Sequence, residues 1–151
     1  MTYLFDTNIV LAYLNRSALA AFVNEQYAPL EQDNNVCISV VTAGELQSIA
    51  LQSKWGNRRK KELATLLQIF SIINININYV IRLYAEIDAF SQGKLADRPL
   101  GDSARNMGKN DLWIAATVPY MEAILLTTDK DFNHLHGHFL DVIWLDPDKY
   151  K

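Results

Sequence analysis

Short apolar runs that recur between helical patterns constrain this chain more than any other feature. Runs rich in β-prone residues occupy positions 2–5, 36–40, 71–77, 123–127 and 141–145. Between the first four runs the apolar residues take a helical period, over 8–15, 17–30, 42–54, 58–70, 78–92 and 111–121. Val80, Leu83, Tyr84, Ile87 and Phe90 make one such stripe. Strands that alternate with helices pair in parallel and bury both faces under the helices. The order β-α-α-β-α-α-β-α-α-β-α-β therefore predicts a parallel sheet covered on both sides, a three-layer α/β/α sandwich around a mainly parallel five-stranded sheet. The third run, "SIINININ", alternates Ile with Asn. A period of two suits a strand with one polar face, placed at a sheet edge. Pro119 should kink or end the sixth helix. The longest polar loop is 93–110, with room for a short helix at 101–107.

The 151 residues suffice for a single domain spanning 1–151. Half of them are hydrophobic and the net charge is −3, which excludes a globally basic polyanion binder. Cys37 is the only cysteine, so an internal disulfide is excluded, and its apolar run suggests a buried thiol. Residues 1–14 lack the basic and cleavage regions of a signal peptide. No apolar run is long enough to span a membrane. The expectation is a cytoplasmic protein.

The acids carry the functional argument. Asp6 follows the first strand, Glu45 lies just inside the helix after the second, Asp111 opens the sixth helix and Asp129 follows the fourth strand. Each has a structural reading. Asp6, Asp111 and Asp129 suit helix caps, and Thr42-Ala43-Gly44-Glu45 matches a capping box. Taken together they suggest more, because the carboxyl ends of parallel strands share one edge where ligands bind. Carboxylates gathered there repel by about 4 kcal/mol per pair at ~4 Å, so they either take up a proton or hold a cation. Oxygen-only ligands select a hard ion such as Mg²⁺ or Mn²⁺.

"LFDTNIVLAYL", "ISVVTAGEL", "NDLWIAAT" and "LLTTDKDF" resemble, in order and spacing, the signature blocks of PIN-domain nucleases, and most closely VapC-like toxins of type II toxin–antitoxin pairs. The resemblance covers nearly the whole chain. It implies a PIN-like fold and an acidic quartet of Asp6, Glu45, Asp111 and Asp129 that holds Mg²⁺, with Mn²⁺ as a substitute. It also implies a metal-dependent endoribonuclease that leaves a 5′-phosphate and a free 3′-hydroxyl. The implied partners are an RNA substrate, a small antitoxin and a second copy in a homodimer. Asn8 and Thr128 match supporting positions, and Asp131 is peripheral. The chain departs from the family where "DSARNMGK", 102–109, separates Pro99-Leu100-Gly101 from Asn110-Asp111. Asp102 there competes with Asp111 for the third acidic role.

Arg105 and Lys109 are candidates for phosphate contacts, ahead of the basic run "KWGNRRKK" at 54–61. His134, His136 and His138 read as solvated imidazoles of a surface turn, without catalytic duty. Two other functions fit an acid cluster on an α/β fold. One is a silent PIN-like scaffold that binds RNA or protein. The other is a phospho-receiver module, which needs an acid pair at the first strand, where this chain has Asp6 followed by Thr-Asn.

Overall fold

A computed structural model describes residues 1–150. The strands are β1 (Thr2–Phe5), β2 (Asn35–Ser39), β3 (Ser71–Ile73), β4 (Ile124–Thr127) and β5 (Asp141–Trp144). They form one sheet of order β3-β2-β1-β4-β5, with every pairing parallel. The helices are α1 (Thr7–Leu14), α2 (Ala18–Tyr27), α3 (Val40–Gln52), α4 (Asn57–Ile69), α5 (Asn78–Ser91) and α6 (Lys109–Tyr120). Two 3-10 helices, Lys130–Leu135 and Pro147–Tyr150, complete the chain. The three-layer arrangement expected from the sequence is present, and the sheet is wholly parallel.

Strand alternation divides the core in two. Leu4, Cys37, Leu125 and Val142 face α5, α6 and the first 3-10 helix, where Ile87, Phe90, Ile114 and Phe132 are fully buried. Tyr3, Phe5, Val36, Ile38 and Leu126 point the other way, into Ile9, Val23, Leu46 and Leu63 of α1 to α4. Cys37 is a buried free thiol, and burial pushes its pKa up to about 12.

Three local expectations change. The ladder of β3 ends at Ile73, although Ile75 and Ile77 still pack on the core while Asn74 and Asn76 stay exposed. The Asn74 side chain accepts a bond from the Asn76 N–H just past the end of the ladder. The segment 101–107 forms no helix. It is tied down instead, with Met107 buried and the Arg105 N–H bonded to the Ser91 carbonyl at 2.7 Å. The helix between β4 and β5 is a single 3-10 segment. Pro119 lies one residue before the end of α6 at Tyr120, in line with the expected early stop. No helix among the described residues is long and apolar enough to cross a membrane.

Candidate active site

Asp6 caps α1 at the carboxyl end of the central strand. Its Oδ1 accepts the Thr7 N–H at 2.8 Å, which is the cap, and its Oδ2 accepts the Thr127 hydroxyl at 2.7 Å, which is not. Only 6% of the residue is exposed. Burial raises its pKa, partly offset by the bonds from Thr127 and Thr7, and the charges of Glu45 and Asp129 raise it further. The neighbouring Thr7 hydroxyl donates to Glu45 Oε1 at 2.9 Å. The capping box expected for Glu45 does not form. Ser39 is the N-cap of α3, so Glu45 sits in the second turn and reaches across to α1.

Asp111 lies in the first turn of α6, behind a Gly108 N-cap that offers no side-chain bond. Asp129 caps the first 3-10 helix by accepting the Asp131 N–H at 2.9 Å, and its own N–H donates to Thr127 Oγ1 at 3.0 Å. Asp111, Asp129 and Asp131 each place a carboxylate oxygen within 4.8 Å of the others. The Asp111 pKa rises to about 7, first through burial and then through the charges of Asp6, Asp129, Glu45 and Asp131. Among the described residues the ion pairs join Arg58 to Glu62 and Arg105 to Asp102, so no basic side chain pairs with these acids. A half-buried, uncompensated set of carboxylate oxygens has the donor chemistry of a Mg²⁺ or Mn²⁺ site.

The structure thus gathers Asp6, Glu45, Asp111 and Asp129 at one sheet edge and adds Asp131, which the sequence reading left at the periphery. Asp102 is apart, engaged with the Ser103 N–H and Arg105. Asn8 donates to Thr128 Oγ1 at 3.2 Å on the exposed rim. Thr127, missed in the sequence, is the fully buried polar group that joins Asp6 to Asp129. Its place as the last residue of β4 was the available signal. Arg105 is held by Asp102 at 3.0 Å, while Lys109 is exposed at the start of α6. In the 54–61 run, Arg59 packs on the Trp55 ring and bonds Asn15. A groove of about 610 Å³ between α1 and α4, lined by Tyr13, Leu66 and Ile69 with Arg58, Lys61 and Glu62, contains none of the candidate-site acids.

The histidine turn matches the solvated loop expected at His136 and His138, which are exposed, but not at His134, which is half-buried. Ser91 Oγ lies 2.7 Å from His134 Nε2, and His136 Nδ1 accepts the Val142 N–H at 2.9 Å. Burial and the Arg105 charge lower the His134 pKa.

The PIN domain profile matches residues 3–137. The chain belongs to the PIN domain family. Ribonuclease VapC1 of Haemophilus influenzae strain R2866 is 26% identical over 148 residues, which is 97% of this chain and 98% of that protein. Among solved structures, VapBC2 from Rickettsia felis bound to a promoter DNA fragment has a TM-score of 0.76 at 23% identity, covering 97% of this chain and 100% of that one. VapBC-1 from nontypeable Haemophilus influenzae has a TM-score of 0.72 at 22% identity, covering 95% and 98%. A PIN domain also differs from a phospho-receiver in topology. The order β3-β2-β1-β4-β5 is not the 2-1-3-4-5 order of flavodoxin-like receivers.

Proposed function

We propose that this PIN domain is a Mg²⁺- or Mn²⁺-dependent endoribonuclease and the toxin of a toxin–antitoxin pair, acting in the cytoplasm. The observation that carries the reading is the set of carboxylates at the sheet edge, with Asp111 raised to about 7 and no cation paired to it. The likeness to Ribonuclease VapC1 supports RNA as substrate, and the VapBC complexes support a small antitoxin partner. A homodimer is proposed from the family resemblance.

Asp6, Asp111, Asp129 and Asp131 would hold the ion, with Glu45 facing it from α3. The bound ion would lower the pKa of a coordinated water and offset phosphate charge. The protein's own residues do the rest. Thr127 fixes one Asp6 oxygen and Thr7 fixes Glu45, so neither acid needs to reorganise when substrate arrives. Glu45 would accept a proton from the water that attacks phosphorus; the P–O3′ bond breaks and the departing 3′ oxygen takes a proton from solvent, giving a 5′-phosphate and a 3′-hydroxyl. Lys109, exposed two residues before Asp111, is the candidate contact for an adjacent phosphate. Arg105 would have to leave Asp102 to join it.

The test is cleavage of total bacterial RNA with Mg²⁺ or Mn²⁺, with and without EDTA. Activity should need the ion and vanish in Asp6→Asn and Asp111→Asn. Full activity in either folded variant would sink the assignment. A folded wild type that binds RNA without cutting it would return the chain to the scaffold reading.

A further inference from the structure

Two sequence features lie outside the acid cluster, the 102–109 insertion and the "HLHGH" turn. They meet at Ser91, the last residue of α5, which is fully buried. A buried hydroxyl needs partners. Ser91 Oγ is 2.7 Å from His134 Nε2 and 3.4 Å from Met107 Sδ, and the Ser91 carbonyl accepts the Arg105 N–H at 2.7 Å. Met107 directly precedes Gly108, the N-cap of the helix that carries Asp111. His134 belongs to the 3-10 helix that Asp129 caps and whose first turn holds Asp131.

The ring of His134 lies parallel to that of Phe90, at 3° and 6.4 Å between centroids. Its Nδ1 is buried without a well-formed bond and faces the Asp131 backbone. With the imidazole proton on Nδ1, toward the Asp131 carbonyl, the Ser91 hydroxyl donates to Nε2 and the Met107 sulfur is a packing contact. That tautomer satisfies the most atoms. Among the described residues, no hydrogen bond joins the first turn of α6 directly to the 3-10 helix. Both segments lie beyond the strand ends, so the sheet ladder does not set their separation.

We propose that Ser91 is a positioning residue for the metal site: its hydroxyl, through His134 and against Met107, holds the helix bearing Asp129 and Asp131 at a ligand's distance from Asp111. The insertion then has a structural task, since its last residues form one jaw of this clamp. The inference rests on the metal-dependent reading above. Groups that orient metal ligands from behind typically change metal affinity by about 10- to 100-fold when removed.

The experiment measures Mn²⁺ binding to wild type, Ser91→Ala, His134→Phe and the double variant, by electron paramagnetic resonance of free Mn²⁺, well below each melting point in EDTA. Each single variant should weaken Mn²⁺ binding about tenfold. The double variant should lose little more than the worse single, because both remove one contact. Wild-type affinity in the single variants, even with a lowered melting temperature, would make Ser91 merely structural and overturn the proposal. Multiplicative losses in the double variant would overturn it too. His134→Phe keeps the ring on Phe90 and so decides the matter if Ser91→Ala does not fold. A wild type that binds no Mn²⁺ would remove the metal reading itself, an outcome distinct from equal binding by all four proteins.

Discussion

Asp111 is the residue whose chemistry the fold changes most. Its carboxyl is raised to about 7, while its unfolded value is near 3.8, so the folded chain holds the proton more tightly. Stability from that proton is fully present below the unfolded pKa and is lost as pH rises through the folded one. In EDTA the protein should therefore lose stability between about pH 4 and pH 7. The loss should be on the order of 1–2 kcal/mol, because solvent screens a half-exposed group. Asp111→Asn should flatten that slope, as melting curves across pH would show; an unchanged slope would mean that other groups set it. Asp6→Asn is a different case. The amide can accept one of the two bonds that Thr7 and Thr127 now donate, and Thr127 must turn to receive the other. Relief of burial and repulsion opposes that disruption. The expected net is a gain of about 1 kcal/mol in EDTA, with a loss of Mn²⁺ binding. A destabilised variant would show that the Thr127 bond outweighs the buried charge. The four acids were legible in the sequence because each follows an apolar run or opens one. Thr127 was not, since one step along a strand decides which of two threonines turns inward, and the pattern does not separate Thr127 from Thr128. Asp131 was undervalued for a related reason. A 3-10 turn, tighter than an α-helix, brings it round beside Asp129.

At the scale of elements, the ends of β4 and α3 carry the most testable consequences. Thr127→Val keeps the shape but removes the donor to Asp6 and the acceptor for the Asp129 N–H. It should cost about 1–3 kcal/mol and reduce cleavage strongly, as denaturant melts and RNA assays would show. Gly44 sits exposed inside α3, with nothing within 4 Å of where a Cβ would stand. Gly44→Ala should then stabilise by about 0.5–1 kcal/mol, or ~1–4 °C. No rise in melting temperature would show that the helix there is not limited by backbone freedom. Most strand and helix spans follow from hydrophobic period. The strand pattern outruns β3 because Ile75 and Ile77 keep the alternation of burial after the ladder stops. The capping box was a false match because Ser39, a residue inside an apolar run, starts the helix three residues before Thr42. The polar loop 93–110 gave no sign of its anchoring, which depends on Met107, Leu95 and Leu100 meeting a core built by other elements.

For the molecule as a whole, ion binding and folding should be coupled. Mn²⁺ at about 100 times its dissociation constant adds ~2.7 kcal/mol to the native state, or roughly 5–10 °C for a chain of this size. Wild type should show that shift in thermal melts, and Asp111→Asn should show much less; equal shifts would place the ion elsewhere. The sheet order has a further consequence. β1 lies between β2 and β4, and the Thr127 that fixes Asp6 is 121 residues away along the chain. A nascent chain leaving the ribosome therefore carries Asp6 and Glu45 well before it contains the strand that helps to draw the acids together. Long-range parallel pairing of this kind is also slow to form. The acids can therefore gather only once β4 has docked beside β1, and a partial translation product should lack the proposed cleavage.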